Sequence, residues 1–377
     1  MPGMTAIADD SDVRLARHVP RLPPSIFGMA FGLAGLAGAW LAARPLLGIP
    51  PAVPDAIFIL AAVVWIVLVV GYLAQGRAQL FADWRDGTLS PFIPLAVIVP
   101  MILAVALSKY AFSAGRILVI VFLALTVLLG GWLTGEWVTT KVPKDCIHPG
   151  YYLPTVAGGF VGAYAAGAVH LHLIAEAAFG IGIFCWMLLA ALVLNRVTSG
   201  PALPPPLVPA QAIQLAPPVV AGFAYFAMVG TKIDFIAAAL GGYAVLMILV
   251  QLRLIPVYAR LKFTLGFWAF SFSFAAAAID ALLWLTATRP SGTTAYSAVV
   301  LGLITVLIGA IAVRSVIAIA RRQFFPPPPQ APAPRQPEAV WFGRKGARTL
   351  LEAYWPSSHR PGSTSLRACA GPHEPGA

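Results

Sequence analysis

Charge is what this sequence most lacks. Only 10% of its 377 residues are Asp, Glu, Lys or Arg, against about 25% in soluble domains. Acidic residues number 14, and the only adjacent pair is Asp9-Asp10, near the start. Asp-rich metal motifs are therefore missing from the interior of the chain, and His-Glu-x-x-His does not occur. Neither enzymatic chemistry, nor a cofactor, nor a bound metal is expected. Three cysteines, Cys146, Cys185 and Cys369, share no motif spacing and are expected as free thiols. The alternating segments of about ten residues that mark a β-barrel are not evident. Residues 1–23 are polar and the first apolar run is followed by many others, so no cleavable signal peptide is expected.

Apolar residues fill the space that charge leaves. They make up 59% of the chain and recur in runs of about 20, the length that crosses a bilayer as a helix. Such segments fall at roughly 24–43, 54–74, 90–107, 115–135, 149–169, 171–194, 207–229, 233–255, 263–287 and 295–319. The expectation is an all-α integral membrane protein with ten transmembrane helices. The join at His170 to His172 is the least distinct boundary. Residues 1–23 form a polar tail, 24–320 the membrane domain, and 321–377 a Pro- and Arg-rich tail expected to be disordered. Lys and Arg set the orientation. If both tails lie on one side, that side carries fourteen of these residues before the distal tail and the other side carries five: Arg44, Lys109, Arg116, Lys232 and Arg289. Both termini are thus expected in the cytoplasm, in an inner or plasma membrane. The net charge of +11 is then a topology signal rather than a sign of nucleic-acid binding.

The segments differ in pairs. Odd-numbered ones hold the helix-disturbing residues: Pro24, Gly28, Gly32, Gly35 and Gly38 in the first, Pro91, Pro94 and Pro100 in the third. The fifth has Pro154, Gly158, Gly159 and Gly162, the seventh Pro209, Pro217 and Pro218, and the ninth Gly266, Ser271 and Ser273. Even segments have proline only at their ends. Proline frees a backbone carbonyl, which must find water or another partner. Five kinked helices lining a path, with five straight ones facing lipid, would satisfy that need. Small residues four apart, as at Gly28/Gly32 and Gly158/Gly162, equally allow close helix packing. In the ninth segment, Phe263, Phe267, Phe270 and Phe274 share one helical face, while Leu265, Trp268, Phe272, Ala275, Ala276 and Ile279 share another. Phe272 is a large ring before a run of methyl-sized side chains. A pore with one bulky plug has this pattern, and so has a packed helix.

These stretches carry a family resemblance. Pro24-Ser-Ile-Phe-Gly-Met-Ala-Phe-Gly-Leu-Ala-Gly-Leu-Ala, Pro154 with Gly158-Gly159, Ala216-Pro217-Pro218, and Phe267-Trp268-Ala269-Phe270-Ser271-Phe272 resemble the tellurite-resistance/dicarboxylate transporters, which include the plant slow anion channels. The resemblance spans about residues 22–320. It implies ten helices as five hairpins in a quasi-fivefold arrangement around a central pore, one pore per subunit of a homotrimer. It also implies a pore-blocking phenylalanine at Phe272, a position often followed by proline in the family and here by Ser273. Pore-lining candidates are Gly28, Gly32, Pro94, Pro154, Gly158, Gly162, Pro217 and Ala276.

Two acidic residues lie within apolar segments, where charge is costly and function is the default question. Asp280, two turns past Phe272, is a candidate for proton coupling, or else meets water or a neighbouring Ser or backbone group near the outer end of its helix. Glu176 lies near the interface. No segment holds Lys or Arg near its middle, so a tight charge-paired dianion site is not visible. A pore that holds small anions weakly, through helix dipoles, hydroxyls and freed N–H groups, fits better. The competing expectation is proton-coupled carriage of a dicarboxylate, sulfite or a tellurite-related anion.

Overall fold

In a computed structural model of the chain, residues 21–321, 323 and 324 are described, and every regular element among them is helical. The tail expectations for residues 1–20, 322 and 325–377 lie outside the described residues. In chain order the α-helices are α1 (Gly28–Leu47), α2 (Ala52–Leu73), α3 (Arg77–Arg85), α4 (Leu95–Ser108), α5 (Phe112–Thr140), α6 (Gly158–Ala168), α7 (His172–Ser199), α8 (Ala216–Val229), α9 (Phe235–Tyr258), α10 (Trp268–Thr288) and α11 (Thr293–Ala320). The turn at His170 is real: that residue has φ 61° and breaks the helix between α6 and α7. The short α3 carries no long apolar run and was not visible as a span.

Nine helices among the described residues are long and apolar enough to cross a membrane. The expected segment at 149–169 is the one not counted with them. Its chain is helical throughout but changes type twice, from a 3₁₀ turn (Pro149–Tyr152) to a π turn (Leu153–Ala157) to α6. The α portion alone, 11 residues, is about 17 Å long, short of a hydrocarbon core of about 30 Å.

The prolines explain these irregular starts. Pro24, Pro149 and Pro205 each open a 3₁₀ stretch, Pro91 is the second residue of another, and Pro217 and Pro218 lie in the first turn of α8. A residue without an N–H is cheapest in a first turn, where the N–H has no helical partner anyway. Most of the expected mid-helix kinks are therefore distorted first turns. Pro100, inside α4, is an exception.

Packing separates two sets of helices. α1 touches α4, α4 touches α6, α6 touches α8, α8 touches α10, and α10 returns to α1. Outside this circuit α2, α5, α7, α9 and α11 each pack on the inner helix before them in sequence. The outer helices expose large apolar side chains, among them Ile59, Leu128, Leu188 and Leu303, a surface that suits lipid rather than water. Cys185 is a free thiol as expected. Cys146 is buried.

Candidate pore

The inner helices all begin at the same end of the molecule, and a cavity of about 630 Å³ opens there. Each of the five segments contributes to its wall, for example through Gly28, Leu95, Val156, Pro217 and Phe272. Five helix starts around one space place their partial positive charge and their spare N–H groups toward it. That setting favours anions over cations.

Phe272 of α10 stands on the wall of this cavity and is 6% exposed. Its ring lies face to face on Phe31 of α1, with centroids 3.4 Å apart and planes 12° apart. A methyl at Gly35 would come within 3.1 Å of the Phe272 ring and 2.9 Å of Ala275, so the bare glycine makes room for the ring. Past the pair the α10 face continues as Ala275 and Ala276, both 0% exposed. Two stacked phenyl rings, not one, therefore stand on the cavity wall at the α1–α10 interface.

Ser273 donates its hydroxyl to Ala269 O of the preceding turn at 3.2 Å. Ser271 donates to Trp268 O at 2.6 Å. Both hydroxyls thus turn back onto their own helix, a habit that bends a helix mildly. The indole of Trp268 donates to Ser315 of α11 at 2.9 Å and ties α10 to its hairpin partner. Thr264, four residues before α10, borders the cavity with a buried hydroxyl that has no hydrogen-bond partner among the described residues.

The second aromatic face of α10 is packing. Phe263, Phe267, Phe270 and Phe274 form a ladder with centroid spacings of 5.1, 5.5 and 6.3 Å. Phe270 also meets Tyr258 of α9 edge to face at 4.8 Å.

The other sequence-expected residues divide. Gly28 and Pro217 are on the cavity wall with Phe272. Gly32, Gly158 and Gly162 sit at helix seams instead. A Cβ on Gly32 would lie 2.0 Å from Ser271 Oγ of α10, one on Gly158 2.6 Å from Thr126 of α5, and one on Gly162 2.5 Å from Leu123 of α5. Pro94 and Pro154 shape the starts of their segments, α4 and α6, but their neighbours Leu95 and Val156 face the cavity. Asp280 is 5% exposed and lies at the α10–α8 seam, where Gly222 gives it space: a Cβ there would be 2.4 Å from Asp280 Oδ1. That oxygen has no hydrogen-bond partner. Glu176 is exposed on α7.

Sequence reasoning missed Phe31, although Gly28, Phe31, Gly32 and Gly35 recur at helical spacing and mark the face of α1 that meets α10. It also missed the charged rim. Arg21, Asp86, Asp145 and Arg196 all border the cavity. Arg21 pairs with Asp83 at 2.8 Å. Asp86 accepts from the N–H groups of Thr88 and Leu89 at 2.8 and 3.1 Å, and burial raises its pKa above the ordinary carboxylate value. Near this rim His148 is fully buried. Its Nε2 lies 3.0 Å from Thr88 O, and its Nδ1 accepts from Gly150 N–H at 3.0 Å. A carbonyl only accepts, so the proton sits on Nε2 and the ring is neutral. Burial holds its pKa down to about 4.

Among the described residues no group of three or more His, Cys, Asp or Glu side chains is placed to hold a metal. Comparison with known proteins gives one consistent answer. Residues 21–316 match the voltage-dependent anion channel family. The chain is 27% identical over 308 residues to the tellurite resistance protein TehA homolog of Haemophilus influenzae, covering 81% of this chain and 93% of that protein. It is 23% identical to two proteins of Arabidopsis thaliana, the S-type anion channel SLAH3 and the guard cell S-type anion channel SLAC1. Those matches cover 81% and 76% of this chain but only 50% and 54% of the plant proteins. A match over most of the length, on an all-helical chain with lipid-suited outer helices, makes this protein a member of the voltage-dependent anion channel family.

Proposed function

We propose that the chain passes small anions, inorganic or of the C4-dicarboxylate kind, through a pore between the five inner helices, gated by Phe272 stacked on Phe31. The observation that supports this reading is that the cavity lies among the starts of the inner helices and that the stacked Phe31 and Phe272 rings of the α1–α10 interface are both on its wall. A narrow apolar constriction excludes water, and an ion does not cross it cheaply. In this reading Pro149–Ala168 crosses the membrane as the tenth span, its 3₁₀ and π turns lying inside the protein, where irregular backbone is tolerated. The ten spans then form five hairpins in quasi-fivefold order. The protein works as a homotrimer in the inner or plasma membrane, with both termini cytoplasmic.

One observation favours a second reading, proton-coupled carriage of a dicarboxylate, sulfite or tellurite-related anion. Asp280 is buried between α10 and α8 with one oxygen unpartnered, and an intramembrane carboxyl of this kind is a natural proton carrier. Anion flux into liposomes, measured with and without a pH gradient, separates the two. A channel gives flux that follows the anion gradient alone. Coupled carriage gives uphill flux driven by protons, lost in Asp280→Asn. No anion flux under either condition contradicts both.

A further inference from the structure

Four charged residues border the cavity, and three of them are compensated or exposed. Arg21 is paired with Asp83. Asp86 is held by two backbone N–H groups. Asp145 is exposed. Arg196, at the end of α7, is different: it is 6% exposed, and no carboxylate meets it among the described residues. Its guanidinium donates to three carbonyls instead. Nε reaches Lys144 O at 3.1 Å, Nη1 reaches Pro201 O at 2.6 Å, and Nη2 reaches Asp145 O at 3.1 Å. Three bonds leave two of a guanidinium's five N–H donors unused.

Carbonyls orient this charge without cancelling it. A buried cation without a counter-charge is costly, and removing the partner of a buried charge is among the more destabilising changes known. Burial is the main cause that keeps the nearby His148 neutral, and the Arg196 charge adds to it in the same direction. The cavity it borders is otherwise lined mainly by apolar side chains and helix starts.

We propose that Arg196 is the anion-binding residue of the cavity: its unneutralised guanidinium, clamped by the Lys144, Asp145 and Pro201 carbonyls, offers its spare N–H groups to a small anion before that anion reaches the Phe31–Phe272 pair. This deepens the pore reading above and rests on it for the order of events, though not for binding itself. The carbonyl clamp holds the charge at the rim and keeps it from collapsing onto Asp145. Tight binding is not required. A pore needs an anion to enter readily and leave readily, which one charge in a wet cavity supplies.

The test has two arms on full-length protein. In detergent, chloride binding is read from NMR line broadening. In liposomes, flux is read against chloride concentration. Wild type, Arg196→Lys and Arg196→Gln are compared, with Arg77→Gln as an equal charge change at an exposed site on α3. Arg196→Gln is expected to weaken binding and raise the half-saturating concentration about fivefold, the effect of one unit charge at contact distance in a water-like dielectric. Arg196→Lys keeps the charge and loses much of the clamp, and is expected to fall within about twofold of wild type. Arg77→Gln is expected to change neither readout. Equal binding by wild type and folded Arg196→Gln overturns the proposal. So does a Lys variant that is folded but as impaired as Gln, which would make Arg196 a loop clamp only. Chloride binding lost in Arg196→Gln from a wild type that conducts nothing would keep the site and overturn the pore reading instead.

Discussion

The inner and outer helices invert the rule of soluble proteins. The apolar stretches of the outer helices are 17–28% buried, while those of the inner helices Pro24–Leu47, Ser90–Ser108, Pro205–Val229 and Leu265–Thr288 are 50–78% buried. Yet the outer helices are on the whole the more hydropathic. In water the most apolar element goes inside. In a bilayer lipid solvates apolar surface as well as protein does, so the interior is chosen for shape. Small residues and prolines fill the inner helices because close approach and irregular starts are needed there. Leu, Ile and Val cover the outer ones, a surface that suits lipid.

Glycines give the sharpest way to break this comparison. A Cβ on Gly159 of α6 would come 2.5 Å from Gly182 N and 2.8 Å from Ala178 O of α7. Those are backbone atoms and cannot rotate away. Gly159→Leu is expected to force α6 from α7 at a cost above about 3 kcal/mol, seen as loss of monodisperse folded protein on size-exclusion chromatography. An unchanged yield and melting temperature would mean that this seam is loose.

A middle-sized effect is expected at the rim, from pH. The folded pKa of His148 is lowered to about 4 from 6.5. The unfolded chain therefore binds the proton more readily, and stability is lost as pH falls from about 6.5 toward 4, by at most about 3 kcal/mol. Protonating Nδ1 also removes the acceptor for Gly150 N–H. Thermal melts across that range are expected to slope less steeply in His148→Gln than in wild type. Identical slopes would assign the acid sensitivity to another group.

The smallest effect sharpens the contrast from the outer side. Gly302 and Gly309 of α11 have open space where a Cβ would stand. Gly302→Ala is expected to leave the melting temperature unchanged or raise it slightly, worth at most about 1 kcal/mol of helix propensity. A clear loss would reveal a neighbour on that face.

Much of this division was legible in the sequence. Length and apolar run spacing located the nine long apolar helices to within about five residues, and the odd-even distribution of proline anticipated which helices are the more buried. Spacing along one helix tells which residues share a face, but not which neighbour that face meets. That is why Gly32, Gly158 and Gly162 read as pore-lining and lie at seams, and why Phe272 was found without Phe31. Arg196 reads in sequence as one more cytoplasmic positive charge, because two of the three carbonyls that hold it, Lys144 O and Asp145 O, come from about fifty residues away and leave no local signal. The 3₁₀ and π turns before α6 escaped for a related reason: proline marks an irregular helix but does not say whether it kinks the middle or distorts the start.

The central claim is that the Phe31–Phe272 pair closes a path between inner helices. It is tested by anion flux through Phe272→Ala in liposomes, normalised to inserted protein, with Phe270→Ala as the control. Phe270 packs on Tyr258 away from the cavity, so its loss is expected to cost about 3–5 kcal/mol of stability and open nothing. Phe272→Ala is expected to raise flux per protein several-fold with little change in selectivity, since a steric plug hardly discriminates among ions. Phe272→Ala inserted at normal yield with no gain in flux would contradict the account.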